Sequence, residues 1–261
     1  MLEVGDMHVQ RIQPSPEVSG HPAEIPIGGA CARLLPPDAR SANTARSFVQ
    51  AVMHRLGMAR ELIENGTLAV SELATNAYRL AEGLDPCTRT VSPELWIWAR
   101  SYPHQALVVT VFDGYQTPPP QETGSALWAE HGRGLNIVAA VSSSWGSHPS
   151  RARFTSPPVI GKAVWFTLPL PPTWRHRTRI ADPRRTAVQL HALLAARGIG
   201  GIIRKDARAV SLVSVPCGLN IRVQPTTFTL NDTNGVTIRR PLVDLHDLAE
   251  LVVQRTEEIT P

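Results

Sequence analysis

From about Arg60 to Ala81 the chain keeps one helical period, with Leu62, Ile63, Val70, Leu73, Ala77 and Leu80 on one stripe. Two β-like runs follow, ELWIWAR (94–100) and ALVVTVFDG (106–114), separated by Tyr102-Pro103-His104. No other feature constrains the fold as much, because the helix must bury its stripe on the sheet that those runs build. An earlier pattern, SANTARSFVQAVMHRLGM, spaces Ala45, Phe48, Val49, Val52 and Leu56 helically, with Ser41 as its expected cap. ACARLL before it reads as a short strand. Further on, HGRGLNIVAAVSSSW (131–145) reads as a glycine-initiated helix and GKAVWFTLPL (161–170) as a last strand. Helices and strands alternate without even interleaving, which predicts α+β with helices layered on one sheet.

Composition narrows the class. Of the residues, 43% are apolar and 18% charged, as in a globular protein rather than a disordered chain. Cys31, Cys87 and Cys217 are odd in number and far apart, which fits neither a disulfide framework nor a zinc site. The first twenty residues hold no apolar core of signal-peptide length, and no run approaches about 18 apolar residues. The expected location is therefore the cytoplasm, with no membrane contact. A net charge of +4 permits an acidic or phosphate ligand without demanding one.

Four segments are expected. Residues 1–27 read as a flexible leader, 28–171 as the main domain, 172–185 as a basic Pro/Arg linker, and 186–261 as a small α+β accessory domain. In the accessory domain TAVQLHALLAAR reads as a helix, and GIIRKDARAVSLVSV, LNIRV, TFTL and GVTIRR as β runs. Asn234-Gly235 signals a tight turn, and Pro241 starts a closing amphipathic helix. Arg175, Arg177, Arg179, Arg184 and Arg185 read mainly as a solvated joint, and His176, His191 and His246 form no ligand-like group.

Three short constellations carry candidate chemistry. In ELATNAYRLA, Glu72 and Asn76 lie four apart on one helix face, and Arg79 joins their stripe. Such a set suits a metal–phosphate site: the Asn oxygen can ligate Mg²⁺, Glu can orient or deprotonate a nucleophile, and Arg can pair with phosphate. Taken alone, the pair also fits a plain solvated helix face. Asp113-Gly114 ends an apolar strand, where a carboxylate can accept from an exocyclic amine such as adenine's, or serve as an ordinary turn residue. Gly132, Arg133, Gly134 and Leu135 open a helix whose free N–H groups can approach a phosphate. No Walker A loop exists, and Asn136-Ile137 occupy the place of a third dinucleotide-loop glycine.

In this order and spacing, followed by GKAVWFTLP, the segments resemble the Bergerat-fold (GHKL) ATPases, most of all the anti-sigma-factor serine/threonine kinases and their actinobacterial relatives. The resemblance covers about residues 30–170 and implies a Bergerat-type α/β sandwich, helices on one face of a mixed sheet. Position by position it implies Glu72 as general base and Asn76 as ligand of Mg²⁺ on the ATP phosphates. It implies Asp113, with Gly114, as reader of the adenine amine, Gly132, Arg133, Gly134 and Leu135 as the phosphate cradle, and the loop 117–129 as part of a lid. The implied activity is Mg-ATP-dependent phosphorylation of a partner protein, an anti-anti-sigma-like substrate, or sequestration of a sigma factor. A homodimer is left open, and the accessory domain would serve partner choice or dimer contacts.

Departures stand beside it. Ala163 occupies the place where many relatives have a threonine near the adenine, Leu80 that of a frequent histidine, and the Asp113 motif has one glycine. Two further readings follow, an ATP-dependent binding switch without phosphoryl transfer and, less favoured, a nucleic-acid-associated regulator that uses the basic joint and tail.

Overall fold

The computed structural model describes residues 18–82, 91–114, 132–174, 180–232 and 235–259. Cys87, Leu80's side chain, loop 117–129, Arg175, His176, Arg177, Arg179 and Asn234 lie outside the described residues, as does the side chain of Arg133.

Strands β1 (Val18–Ser19), β2 (Ala30–Leu34), β3 (Glu94–Arg100), β4 (Ala106–Asp113), β5 (Ser144–Arg151) and β6 (Ile160–Pro169) form one sheet in the order β1-β2-β3-β4-β6-β5. Helices α1 (Ser41–Arg55), α2 (Arg60–Glu82) and α3 (Gly132–Val141) complete this domain. The α1 and α2 stripes, Val49, Val52, Met53, Val70, Leu73 and Ala77, bury against Leu95, Ile97, Leu107, Val109, Val111, Phe166 and Leu168 of the sheet's inner face. The α+β architecture expected from the sequence is present. Every pairing in this sheet is antiparallel, however, where a mixed sheet was expected. The reason is that β5 runs in the direction of β4, but β6 lies between them, so no parallel pair forms.

The outer face also carries an apolar cluster. Ala32, Trp96, Trp98, Val108, Phe112 and Ala163 cluster there, with the Trp96 and Phe112 rings stacked 5.3 Å apart. An antiparallel sheet commonly leaves one face to water, but a second unit covers this one. That unit runs α4 (Pro183–Ala196), β7 (Ile203–Asp206), β8 (Ser211–Ser214), β9 (Asn220–Val223), β10 (Thr227–Asn231), β11 (Thr237–Pro241) and α5 (Leu245–Ile259). Its strands form an antiparallel meander whose inner face packs Val213, Ile221, Val223, Phe228 and Leu230 against Leu190 and Leu194 of α4 and Leu248, Val252 and Val253 of α5. The other side of α5 lies on β3 and β5.

Several boundaries differ from those expected. Residues 18–27, placed in the leader, form β1 and a 3₁₀ helix (Pro22–Ile27), because Ile25 is fully buried in the main core. In the expected 172–185 linker, Pro183 already begins α4, as Asp182 caps the helix by accepting from Arg184 N at 3.0 Å. Ser41 is the first helical residue rather than the cap, which is Arg40. Helix α3 ends at Val141, and the unexpected strand β5 begins at Ser144. Pro241 ends β11, and a 3₁₀ turn (Leu242–Asp244) separates it from α5.

Candidate functional site

Helix α2 crosses β4 and β6 with its apolar stripe down and packs sideways on α3. Glu72 and Asn76 are half-buried, one turn apart. A Cβ placed on Gly134 of α3 would stand 2.9 Å from Glu72 Oε2 and 3.4 Å from Asn76 Nδ2. The backbone of α3's first turn therefore lies directly against the Glu72–Asn76 pair, and only a glycine leaves that space open. Leu135 packs its side chain on the main core, which anchors the turn. The first four N–H groups of a helix have no partner within it, and in α3 they belong to Gly132, Arg133, Gly134 and Leu135. Arg79 is exposed, one turn beyond Asn76.

Asp113 ends β4 on the inner face and is 3% exposed. The strands close tightly there, since a Cβ on Gly161 would stand 2.1 Å from the Asp113 carbonyl oxygen. Register then corrects one expectation. Ala163 pairs with Phe112 and is fully buried in the outer-face cluster, so it does not stand beside Asp113. The cross-strand partner of Asp113 is Lys162, whose Nζ lies 3.6 Å from Asp113 Oδ2, with the side chains 12% and 3% exposed. Sequence spacing put the position off by one, and in a strand one residue changes the face.

The donor set matches a magnesium nucleotide: a carboxamide beside a carboxylate, a glycine cradle a Cβ would fill, and a buried carboxylate at the sheet end. The structure brings Glu72, Asn76 and Gly134 together and places Asp113 on the sheet face that α2 covers.

A second polar cluster, invisible in the sequence, lies where α5 meets the outer face. Glu250 accepts from Arg197 Nη1 at 2.9 Å, from Arg153 Nη2 at 3.4 Å and from the Ser150 hydroxyl. Arg197 Nη2 also donates to Ser150 Oγ at 2.6 Å. Both guanidinium groups stack on Trp96, at 4.3 Å for Arg153 and 4.6 Å for Arg197. Glu94 accepts from the backbone N–H groups of Arg153 and Phe154 and from Trp96 Nε1. Burial opposes the Glu250 charge, but Arg197 and Arg153 outweigh it and pull the carboxyl down to about 2. Burial first, then the Arg197 charge, push the Arg153 guanidinium down to about 10, although Glu250 and Glu94 oppose them. Trp98 Nε1 donates to Asp247 at 3.2 Å, and Ser101 N to Asp244 at 2.6 Å. These contacts fasten the C-terminal unit to the sheet. No sequence signal links Arg197 to Glu250, since each reads as one charge on an amphipathic helix.

Residues 35–153 match the family model of the histidine kinase-like ATPase domain. The stretch runs from before α1 through β5 and holds Glu72, Asn76, Asp113 and the start of α3, while β6 and the C-terminal unit lie beyond it. Over this stretch the chain is similar to the histidine kinase-like ATPase domain, and domains of this kind bind ATP, typically with Mg²⁺. No curated protein matches the chain. Among the described residues, no helix is long and apolar enough to cross a membrane.

Proposed function

We propose that the chain is a cytoplasmic regulatory protein that binds Mg-ATP and transfers its γ-phosphate to a serine or threonine of a partner protein. The partner class is the anti-anti-sigma-like substrate, or a sigma factor held by the nucleotide-bound form. The observation that carries the reading is the approach of Gly134 to Glu72 and Asn76, which sets a phosphate-binding helix start against a base and a metal ligand.

Each residue then has one task. Asn76 offers its carboxamide oxygen to Mg²⁺, and the first-turn N–H groups of α3 hold phosphate oxygens. Asp113 accepts from the adenine amine. Glu72 orients the attacking hydroxyl and takes its proton at a carboxylate oxygen. Arg79, exposed in the last turn of α2, pairs with phosphate from the solvent side. Bound Mg-ATP supplies the phosphoryl group, and most of the catalysis is positioning and charge stabilisation. Glu72 favours transfer over a pure binding switch, because a switch needs Asn76 and Asp113 but no base. The C-terminal unit is assigned to partner choice or dimer contacts.

The test is labelling with a γ-thiophosphate analogue of ATP in a lysate of the producing cells, with the native chain and with Glu72→Gln. The reading expects one dominant thiophosphorylated protein with the native chain and none with Glu72→Gln. Equal labelling by both removes Glu72 as base. No labelling by either, with ATP binding intact, supports the switch.

A further inference from the structure

We propose that Lys162 reads the nucleotide base: its ammonium donates to adenine N1 while Asp113 accepts from the adjacent exocyclic amine. This rests on the Mg-ATP reading of the site. Adenine presents a donor and an acceptor side by side on one edge, and the complement is an acceptor beside a donor. Asp113 and Lys162 are that complement, cross-strand partners on the inner face with Oδ2 and Nζ 3.6 Å apart. An ammonium carries three donors and no acceptor, so it can keep its ion pair with the carboxylate while one N–H turns to the base.

The surroundings hold the pair in place. Gly161, next to Lys162, brings β6 so close to Asp113 that any side chain there would strike the Asp113 backbone. Both side chains are largely buried, where a hydrogen bond from a charged donor is strong. The sequence spacing points instead to Ala163, whose side chain lies on the far face and bears nothing on the base. Guanine reverses the order, with a carbonyl in place of the amine and an N–H in place of N1. Asp113 would then face an oxygen and Lys162 a proton donor.

The test is calorimetric titration of the full chain with Mg-ATP and with Mg-1-deaza-ATP, in which a C–H replaces N1. The native chain should bind ATP about 10- to 100-fold more tightly, the range for a hydrogen bond to a charged group. Lys162→Met, of similar length but without a donor, should bind the two nucleotides alike, and Lys162→Arg should recover the preference. A native chain that binds both equally overturns the assignment and needs no variant to fold. Retention of the full preference by Lys162→Met overturns it as well. Binding of neither nucleotide by the native chain removes the Mg-ATP reading itself, and the assignment with it.

Discussion

Gly134 and Glu72 meet across α3 and α2 so closely that a methyl group on the glycine would stand 2.9 Å from the carboxylate. Packing therefore fixes the space in front of Glu72. Gly134→Leu should fill it and weaken Mg-ATP binding at least tenfold, about 1.4 kcal/mol. The far-UV spectrum should stay native, since α3 keeps Val138 and Leu135 in the core. Titration of the variant beside the native chain checks this, and unchanged affinity would place the phosphates elsewhere.

Glu72→Gln separates chemistry from binding. The amide keeps the shape and removes the base, so affinity for Mg-ATP should stay within about threefold, while phosphoryl transfer falls about 10²- to 10⁴-fold. Single-turnover transfer beside a binding titration distinguishes the two. A parallel loss in both would make Glu72 a binding residue instead.

The sequence shows much of the main domain because its signals are local. The α2 stripe sets the helix over the sheet, and the glycines mark the start of α3. Even the covering of the outer face leaves a trace: ELWIWAR and ALVVTVF do not alternate with polar residues, as a sheet wet on one side would. What covers that face leaves none, since the Arg197–Glu250 pair spans 53 residues and forms only after both units fold. Strand β5 leaves no strand signal, because SWGSHPSR, at a sheet edge with Gly146 and Pro149, has neither alternation nor β-branched residues. The position of Lys162 opposite Asp113 is not legible either, because spacing locates a strand but not its register.

The Glu250 cluster gives a stability prediction. Glu250→Ala leaves the Arg197 and Arg153 guanidinium groups buried without their carboxylate. Loss of one partner from a buried ionic cluster costs about 3–5 kcal/mol, and urea unfolding should show it. Glu250→Ala with Arg197→Ala should cost less than the two separate losses summed, because the double change leaves fewer charges stranded. Additive losses would mean the groups do not act together.

The same interface gives a pH prediction. Burial first, then the Arg153 and Arg197 charges, push His246 down to about 3, although Glu250 opposes them. The unfolded imidazole binds a proton below about 6.5 and the folded one does not. The stability that His246 contributes is thus complete above that pH and is lost as pH falls toward 3. Asp244 works the other way: burial raises it to about 6, so the folded state takes its proton first and gains stability on acidification. Asp244 is common to the native chain and His246→Gln, so it cancels in their difference. Between pH 7 and 4.5 the native chain should lose more stability than His246→Gln, measured as urea midpoints. Identical pH profiles would contradict the assignment.

The most direct test of the central claim is calorimetric titration of the full chain with Mg-ATP, native and Asn76→Ala. A magnesium nucleotide held between α2 and α3 predicts a single saturable event for the native chain. Asn76→Ala should weaken it at least tenfold while the unfolding midpoint without nucleotide stays close to native. Native affinity in Asn76→Ala, or no binding by the native chain at millimolar Mg-ATP, would contradict it.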